Sequence, residues 1–269
     1  IHHEQVNLLR QFFDIANAKF KVGKGTQVNV LRAQVELSKL FQHLPILKQR
    51  RETAQAHLNT LLNRDPLDPL GIPRTPPAHS MPYSLETLLD KALRVRPELQ
   101  EADMAVAQFQ SATKLAKLRY FPHLRVELQR WQNYNANDGF GGNVTLNIPF
   151  SFWTKGKYDA GVREAAAQVA VAQARKRTLE NLTRFQVKDL VTQIQATQQV
   201  ITLYTTTVLP QAKQTLKAAH AGYRTDRIDF LDLIDAERAL IGYQLDYVRA
   251  LVDREHQIAQ LQRTVGQAL

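Results

Sequence analysis

Asp232 and Asp235 stand three residues apart at the opening of a helical pattern, which puts both carboxylates on one helix face. Crowded carboxylates resist ionising together and attract cations. Two solvated acids at a helix start would look the same, because the positive end of the helix dipole favours them. Other chemistry is thinly supplied. The eight histidines, at 2, 3, 43, 57, 79, 123, 220 and 256, include no HxxxH pair, so no metal centre is expected. With only Met81 and Met104 a copper-binding methionine array is unsupported, and the absence of cysteine removes disulfides, thiolate sites and thiol catalysis. Asp189, Glu180 and Glu164 sit on helical stretches with no nucleophile or base constellation nearby, and there is no glycine-rich phosphate loop. Neither an enzyme nor a cofactor is expected.

The elements carrying these residues are long. The chain has 269 residues, 44% of them apolar, enough for a sizeable core and too many for disorder. A net charge of +10 admits nucleic acid, an acidic partner or an anionic membrane. The basic residues are spread along amphipathic stretches and no groove-reading motif appears, so nucleic acid is not expected as a partner. No apolar run is long enough for a spanning helix, so any membrane role must come through strands.

Five segments follow from the patterning: a helical hairpin over 1–64, a Pro-rich linker over 65–84, short helices over 85–119, a β-hairpin over 120–153 and a second long helical hairpin over 157–269. The fold class is mainly α, built of antiparallel coiled-coil hairpins with one β-hairpin. In the first hairpin Val6, Leu9, Phe13, Ala16 and Phe20 keep helical spacing up to a glycine-marked turn. Thr26 is the expected N-cap of the next helix, in which Pro45 predicts a kink. Ser84 and Pro97 are set to open two shorter helices. Leu124, Val126 and Leu128, then Val144, Leu146 and Ile148, alternate with polar residues on either side of a Gly/Asn turn. Aromatic residues collect at both ends of this hairpin: Tyr120, Phe121, Phe150, Phe152 and Trp153 at one, Trp131, Tyr134 and Phe140 at the other, as interfacial girdles would. A soluble hairpin with one apolar face would share the alternation. From Lys157 to about Val208 one helix of roughly 80 Å is expected, interrupted at Pro210.

A shift of 203 residues lays the first hairpin over the last. Ala16, Ala33, Leu37, Arg51 and Glu52 meet Ala219, Ala236, Leu240, Arg254 and Glu255, and Phe20-Lys21 meets Tyr223-Arg224. The repeated unit is helix, tight turn, helix.

These phrases resemble a known family. Phe20-Lys-Val-Gly23 with Val30-Leu-Arg-Ala33, and Tyr223-Arg-Thr-Asp226 with Asp232-Leu-Ile-Asp-Ala236, are similar to the two periplasmic tip turns of TolC-like outer-membrane efflux factors. Arg96-Pro-Glu-Leu99, Tyr120-Phe-Pro122, Leu146-Asn-Ile-Pro-Phe150 and Leu209-Pro210 add to the match, which looks nearest to the cation- and drug-efflux branch. The resemblance implies a homotrimer in the outer membrane. Each protomer would give β-hairpins to a shared barrel and helical hairpins to a periplasmic tunnel for small molecules or metal cations. The tips would meet a periplasmic membrane-fusion adaptor and, through it, an inner-membrane pump. It also implies a signal peptide, opening helices and another β-hairpin ahead of Ile1. Carried over residue by residue, the tip contacts fall on Gly23, Gly25, Thr225 and Asp226, and the acidic ring of the tunnel entrance on Asp232 and Asp235. The entrance gate falls on Tyr223, Asn29 and Arg227; Asn29 replaces an acidic residue, and Arg227 stands one position before the arginine of the family, where Ile228 is found. The alternative is a soluble coiled-coil scaffold that binds proteins through its rods.

Overall fold

The computed structural model describes residues 2–71, 83–132, 139–148 and 155–268, without the side chains of 2–4. Most of the Pro-rich linker, the tip of the β-hairpin with Tyr134, and Phe150, Phe152 and Trp153 lie outside the described residues. The helices are α1 (His2–Lys21), α2 (Gln27–Leu61), α3 (Leu85–Val95), α4 (Pro97–Leu118), α5 (Lys155–Leu203), α6 (Leu209–Arg224) and α7 (Phe230–Val265). Strands β1 (His123–Trp131) and β2 (Gly139–Asn147) complete the described elements. No helix among the described residues is long and apolar enough to cross a membrane.

The chain forms two compact units, 1–80 with 193–257 and 81–192 with 258–269. The first has its core where the two helical turns come together. Leu9, Phe12 and Ala16 of α1 and Ala33 of α2 are buried with Leu216, Ala219 and Tyr223 of α6 and Phe230, Leu233 and Ile234 of α7. Spacings of three and four residues within each helix give each a single stripe facing this cluster. Helix α2 contributes less along its second half, where Leu44 and Leu47 are 42% and 48% exposed. Arg254 of α7, 2% exposed, donates to Gln198 Oε1 of α5 at 3.1 Å and to Glu255, which keeps its charge paired.

The second unit is organised on Arg96, the corner between α3 and α4. Its guanidinium donates to Thr183 Oγ1 and Gln186 Oε1 of α5, both at 2.9 Å, and to Glu98 at 3.2 Å. Gly266, just past α7 at φ +84°, approaches so closely that a Cβ there would lie 3.1 Å from Arg96 Cα. Ser84 caps α3 by accepting from Thr87 N–H at 3.2 Å, and Pro97 opens α4, as their spacing predicts.

Two local expectations change. Thr26 holds the N-cap position of α2 but its side chain caps nothing; its carbonyl instead accepts from Asn29 N–H at 3.1 Å. Helix α2 itself runs on through Pro45 to Leu61. Pro210 does not interrupt the long helix. A π-helical turn over Tyr204–Val208 joins α5 to α6, with the Leu209 N–H reaching back five residues to the Tyr204 carbonyl. Proline lacks the donor that an α-turn would use, and the wider turn makes room for its ring.

Strands β1 and β2 pair antiparallel in a continuous register, from His123 opposite Asn147 to Trp131 opposite Gly139. The even-numbered rungs, Leu124/Leu146, Val126/Val144 and Leu128/Gly142, share one face, as the alternation requires. That face is bare: Leu124, Val126, Leu128, Val144 and Leu146 are 57–87% exposed. On the other face the Trp131 indole lies over Gly141, where a Cβ would come within 2.2 Å of the ring.

Candidate functional site

The two turns at the ends of α1 and α6 are built alike, bond for bond. Gly23 N–H donates to the Phe20 carbonyl at 3.0 Å and Lys24 N–H to Lys19 at 2.9 Å. In the second copy Asp226 N–H donates to Tyr223 at 3.4 Å and Arg227 N–H to Gly222 at 2.9 Å. This pair of bonds ends a helix on one left-handed residue. Gly23 has φ +74° and Asp226 φ +59°, so the glycine of one tip and the aspartate of the other adopt the same conformation. Aspartate is among the few residues that tolerate it.

Behind each turn the chain passes its own helix so closely that one of two facing positions must lack a side chain. The first copy places Gly25 against Lys19, where a Cβ would lie 3.1 Å from the lysine Cβ. The second reverses the arrangement, with Gly222 facing Ile228 and a Cβ there 3.2 Å from Ile228 Cγ1. Ile228 is therefore the residue that fills this contact in the second tip.

Lys19 ties the copies together. Its ammonium donates to the Tyr223 carbonyl and to the Asp226 carboxylate, and it lies 4.3 Å from the centre of the Tyr223 ring. The hydrogen bond from Lys19 holds the Asp226 carboxyl below the ordinary carboxylate range. Tyr223 is 4% exposed and meets Phe230 edge-on at 5.4 Å. Burial, then Asp229 and Asp226, push its phenol up. Its hydroxyl is buried with no partner among the described residues.

The remaining predicted residues fall around this hub. Asn29 is half-buried and Arg227 exposed, and neither side chain hydrogen-bonds Tyr223. Arg227 enters the turn through its backbone N–H. The Thr225 hydroxyl donates to the carbonyls of Ala221 at 3.1 Å and Gly222 at 3.2 Å, closing the end of α6. Asp232 and Asp235 are both exposed on α7. Asp232 has no ion pair among the described residues, while Asp235 lies 3.5 Å from Arg238 Nη1.

Five residues of the site escape the sequence reading. Lys19 is one; its only trace is that the repeat sets it over Gly222. The others form a charged cluster between α2 and α7. Arg238 Nη2 donates to Glu36 at 2.5 Å, and Lys39 donates to the same carboxylate at 2.8 Å. Burial opposes ionisation of Glu36, but the bonds from Arg238 and Lys39 outweigh it and its carboxyl is held low. Glu237, 2% exposed, continues the buried stripe of Phe230, Leu233 and Ile234. Its Oε1 finds no partner, and burial, with Glu36 beside it, pushes its carboxyl up to about 7. Among the described residues no group of three potential ligands is placed to hold a metal ion.

Known proteins share this architecture. Residues 88–267 match the family model described as outer membrane efflux protein. Nodulation protein T of Rhizobium leguminosarum bv. trifolii is 22% identical over 271 residues, 96% of this chain and 56% of that protein. The cobalt-zinc-cadmium resistance protein CzcC of Cupriavidus metallidurans is 24% identical over 181 residues, 66% of this chain and 42% of its own. This chain thus spans about half the length of these relatives. Among solved structures, CusC superposes with a TM-score of 0.84 at 17% identity, covering 100% of this chain and 64% of that one. VceC of Vibrio cholerae gives 0.79 at 18% identity, covering 99% and 65%. With helical tips made twice, a strand pair bare on its apolar face, and a family match over most of its length, the chain belongs to the outer membrane efflux protein family.

Proposed function

We propose that this chain is part of an outer-membrane efflux conduit. In this reading it assembles as a homotrimer with its strands in the membrane, its helices in the periplasm, and small molecules or metal cations as cargo. The observation that carries it is the β-hairpin. Its aliphatic rungs are regular, paired and covered by nothing among the described residues, which suits strands that face lipid in a closed barrel. A soluble scaffold has no use for such a face.

The tips at Gly23, Gly25, Thr225 and Asp226 then meet a periplasmic adaptor, and through it an inner-membrane pump. Tyr223, Asn29 and Arg227 belong to the entrance gate, where the unpartnered Tyr223 hydroxyl has a bond to give when the entrance rearranges. Asp232 and Asp235 are exposed, with Arg238 at 3.5 Å from Asp235 as the one ion pair of the two among the described residues, which fits a ring of carboxylates at the tunnel mouth, two from each protomer. Such a ring gathers cations. The test is conductance of the natural protein in a planar bilayer. Asp232→Ala with Asp235→Ala should leave folding nearly unchanged, since exposed charges stabilise little, and should weaken block by polyvalent cations. Block as strong as in the parent would remove these aspartates from the entrance.

A further inference from the structure

The membrane reading, on which this inference rests, leaves open what the charged residues at the foot of the hairpin do. Helix α4 delivers Lys114, Lys117 and Arg119 to the start of β1, and α5 opens with Lys155 and Lys157. All five are exposed, and none has an ion pair among the described residues. The two helix ends are held together: Tyr120 Oη donates to Asp159 Oδ1 at 2.5 Å, and the rings of Tyr120 and Tyr158 lie 5.7 Å apart. The cations thus form one group.

Acids are missing from this zone. None stands between Asp103 and Glu127, nor between Asp138 and Asp159. Asp159 is taken up by Tyr120, and Glu127 lies 3.7 Å from Arg125 on the polar strand face. The group therefore carries a local excess of positive charge. It sits directly below Leu124/Leu146, the first rung of the exposed aliphatic face.

We infer that the foot of the hairpin, with Lys114, Lys117, Arg119, Lys155 and Lys157 around it, is a docking surface for phospholipid with an anionic headgroup. The match is to two chemistries in sequence. Acyl chains cover the aliphatic rungs, and at the foot of that face the long basic side chains reach headgroup phosphates while their stems stay against apolar surface. An acidic protein or a nucleic acid would satisfy the cations and leave the adjoining aliphatic face in water. Tyr120 and Phe121, 38% and 62% exposed, sit where an interfacial aromatic belongs. The collar fixes the depth of the hairpin in the bilayer and gives the protein a preference among lipids.

The test uses the chain with vesicles of phosphatidylcholine alone, and with about one-third phosphatidylglycerol added, read by co-sedimentation at low salt. The parent should bind both and prefer the anionic vesicles at least about tenfold, an advantage that added salt removes. Changing Lys114, Lys117, Arg119, Lys155 and Lys157 together to Gln should abolish the preference and keep binding to neutral vesicles. A control with Lys48, Arg50, Arg51, Lys213 and Lys217 changed to Gln loses the same charge elsewhere and should keep the preference. A collar variant that still prefers anionic vesicles, or a control that loses the preference equally, overturns the inference and leaves the membrane reading standing. A parent that binds neither kind of vesicle, with circular dichroism showing intact helices, overturns the membrane reading itself.

Discussion

Glu237→Gln is the most informative single change in the tip region. The carboxyl is buried on the stripe that includes Phe230, Leu233 and Ile234, its Oε1 has no partner, and Glu36 faces it from α2. Arg238 partly offsets this, but its guanidinium is already engaged by Glu36 at 2.5 Å and Asp235 at 3.5 Å. Burial first, and the Glu36 charge second, raise the ionisation from 4.5 to about 7. A group raised in the folded state contributes its full stability below the unfolded value and loses it as pH climbs through the folded one. The window therefore runs from about pH 4.5 to about pH 7. Across it the native state loses about 3 kcal/mol, at about 1.4 kcal/mol per pH decade. Glutamine keeps the shape and removes the titration. Urea unfolding followed by far-UV circular dichroism, on parent and variant at matched pH, isolates the contribution of Glu237. The two should be nearly equal at the acid end, and the variant should be more stable by up to about 3 kcal/mol at the alkaline end. A difference that stays constant with pH would refute the reasoning, because Glu237 would then be ionised and satisfied, or exposed, in the folded protein.

Two further outcomes are expected. Gly25→Ala should destabilise by about 1 kcal/mol, since its Cβ would meet the Phe20 backbone nitrogen at 3.2 Å. Gly161→Ala in the open interior of α5 should stabilise by a similar amount; thermal melts of both decide. Arg96→Met should cost about 2 kcal/mol in urea unfolding because Thr183 and Gln186 lose their donor. Arg96→Lys should recover little of it, since one ammonium cannot reproduce the planar fork that also holds Glu98.

What the sequence determines here is what depends on near neighbours. Periods of three to four residues mark every long helix, and a period of two assigns Leu124, Val126, Leu128, Val144 and Leu146 to one face, since pleating leaves no other choice. The 203-residue repeat places both turns. The family is legible for the same reason, because its phrases sit at those turns and strand ends. Other features wait for partners far along the chain. Asp226 holds a left-handed turn with Lys19 at its side, 207 residues away. Glu36 meets Arg238 across 202 residues. Glu237 looks like any helical glutamate until the packing of Phe230, Leu233 and Ile234 shows which side of α7 is dry. Pro210 reads as a break, yet the helix continues, because a π-helical turn absorbs the missing donor. Local pattern sets the elements; burial, which belongs to the assembled helices, decides the charge states and close contacts from which the site is made.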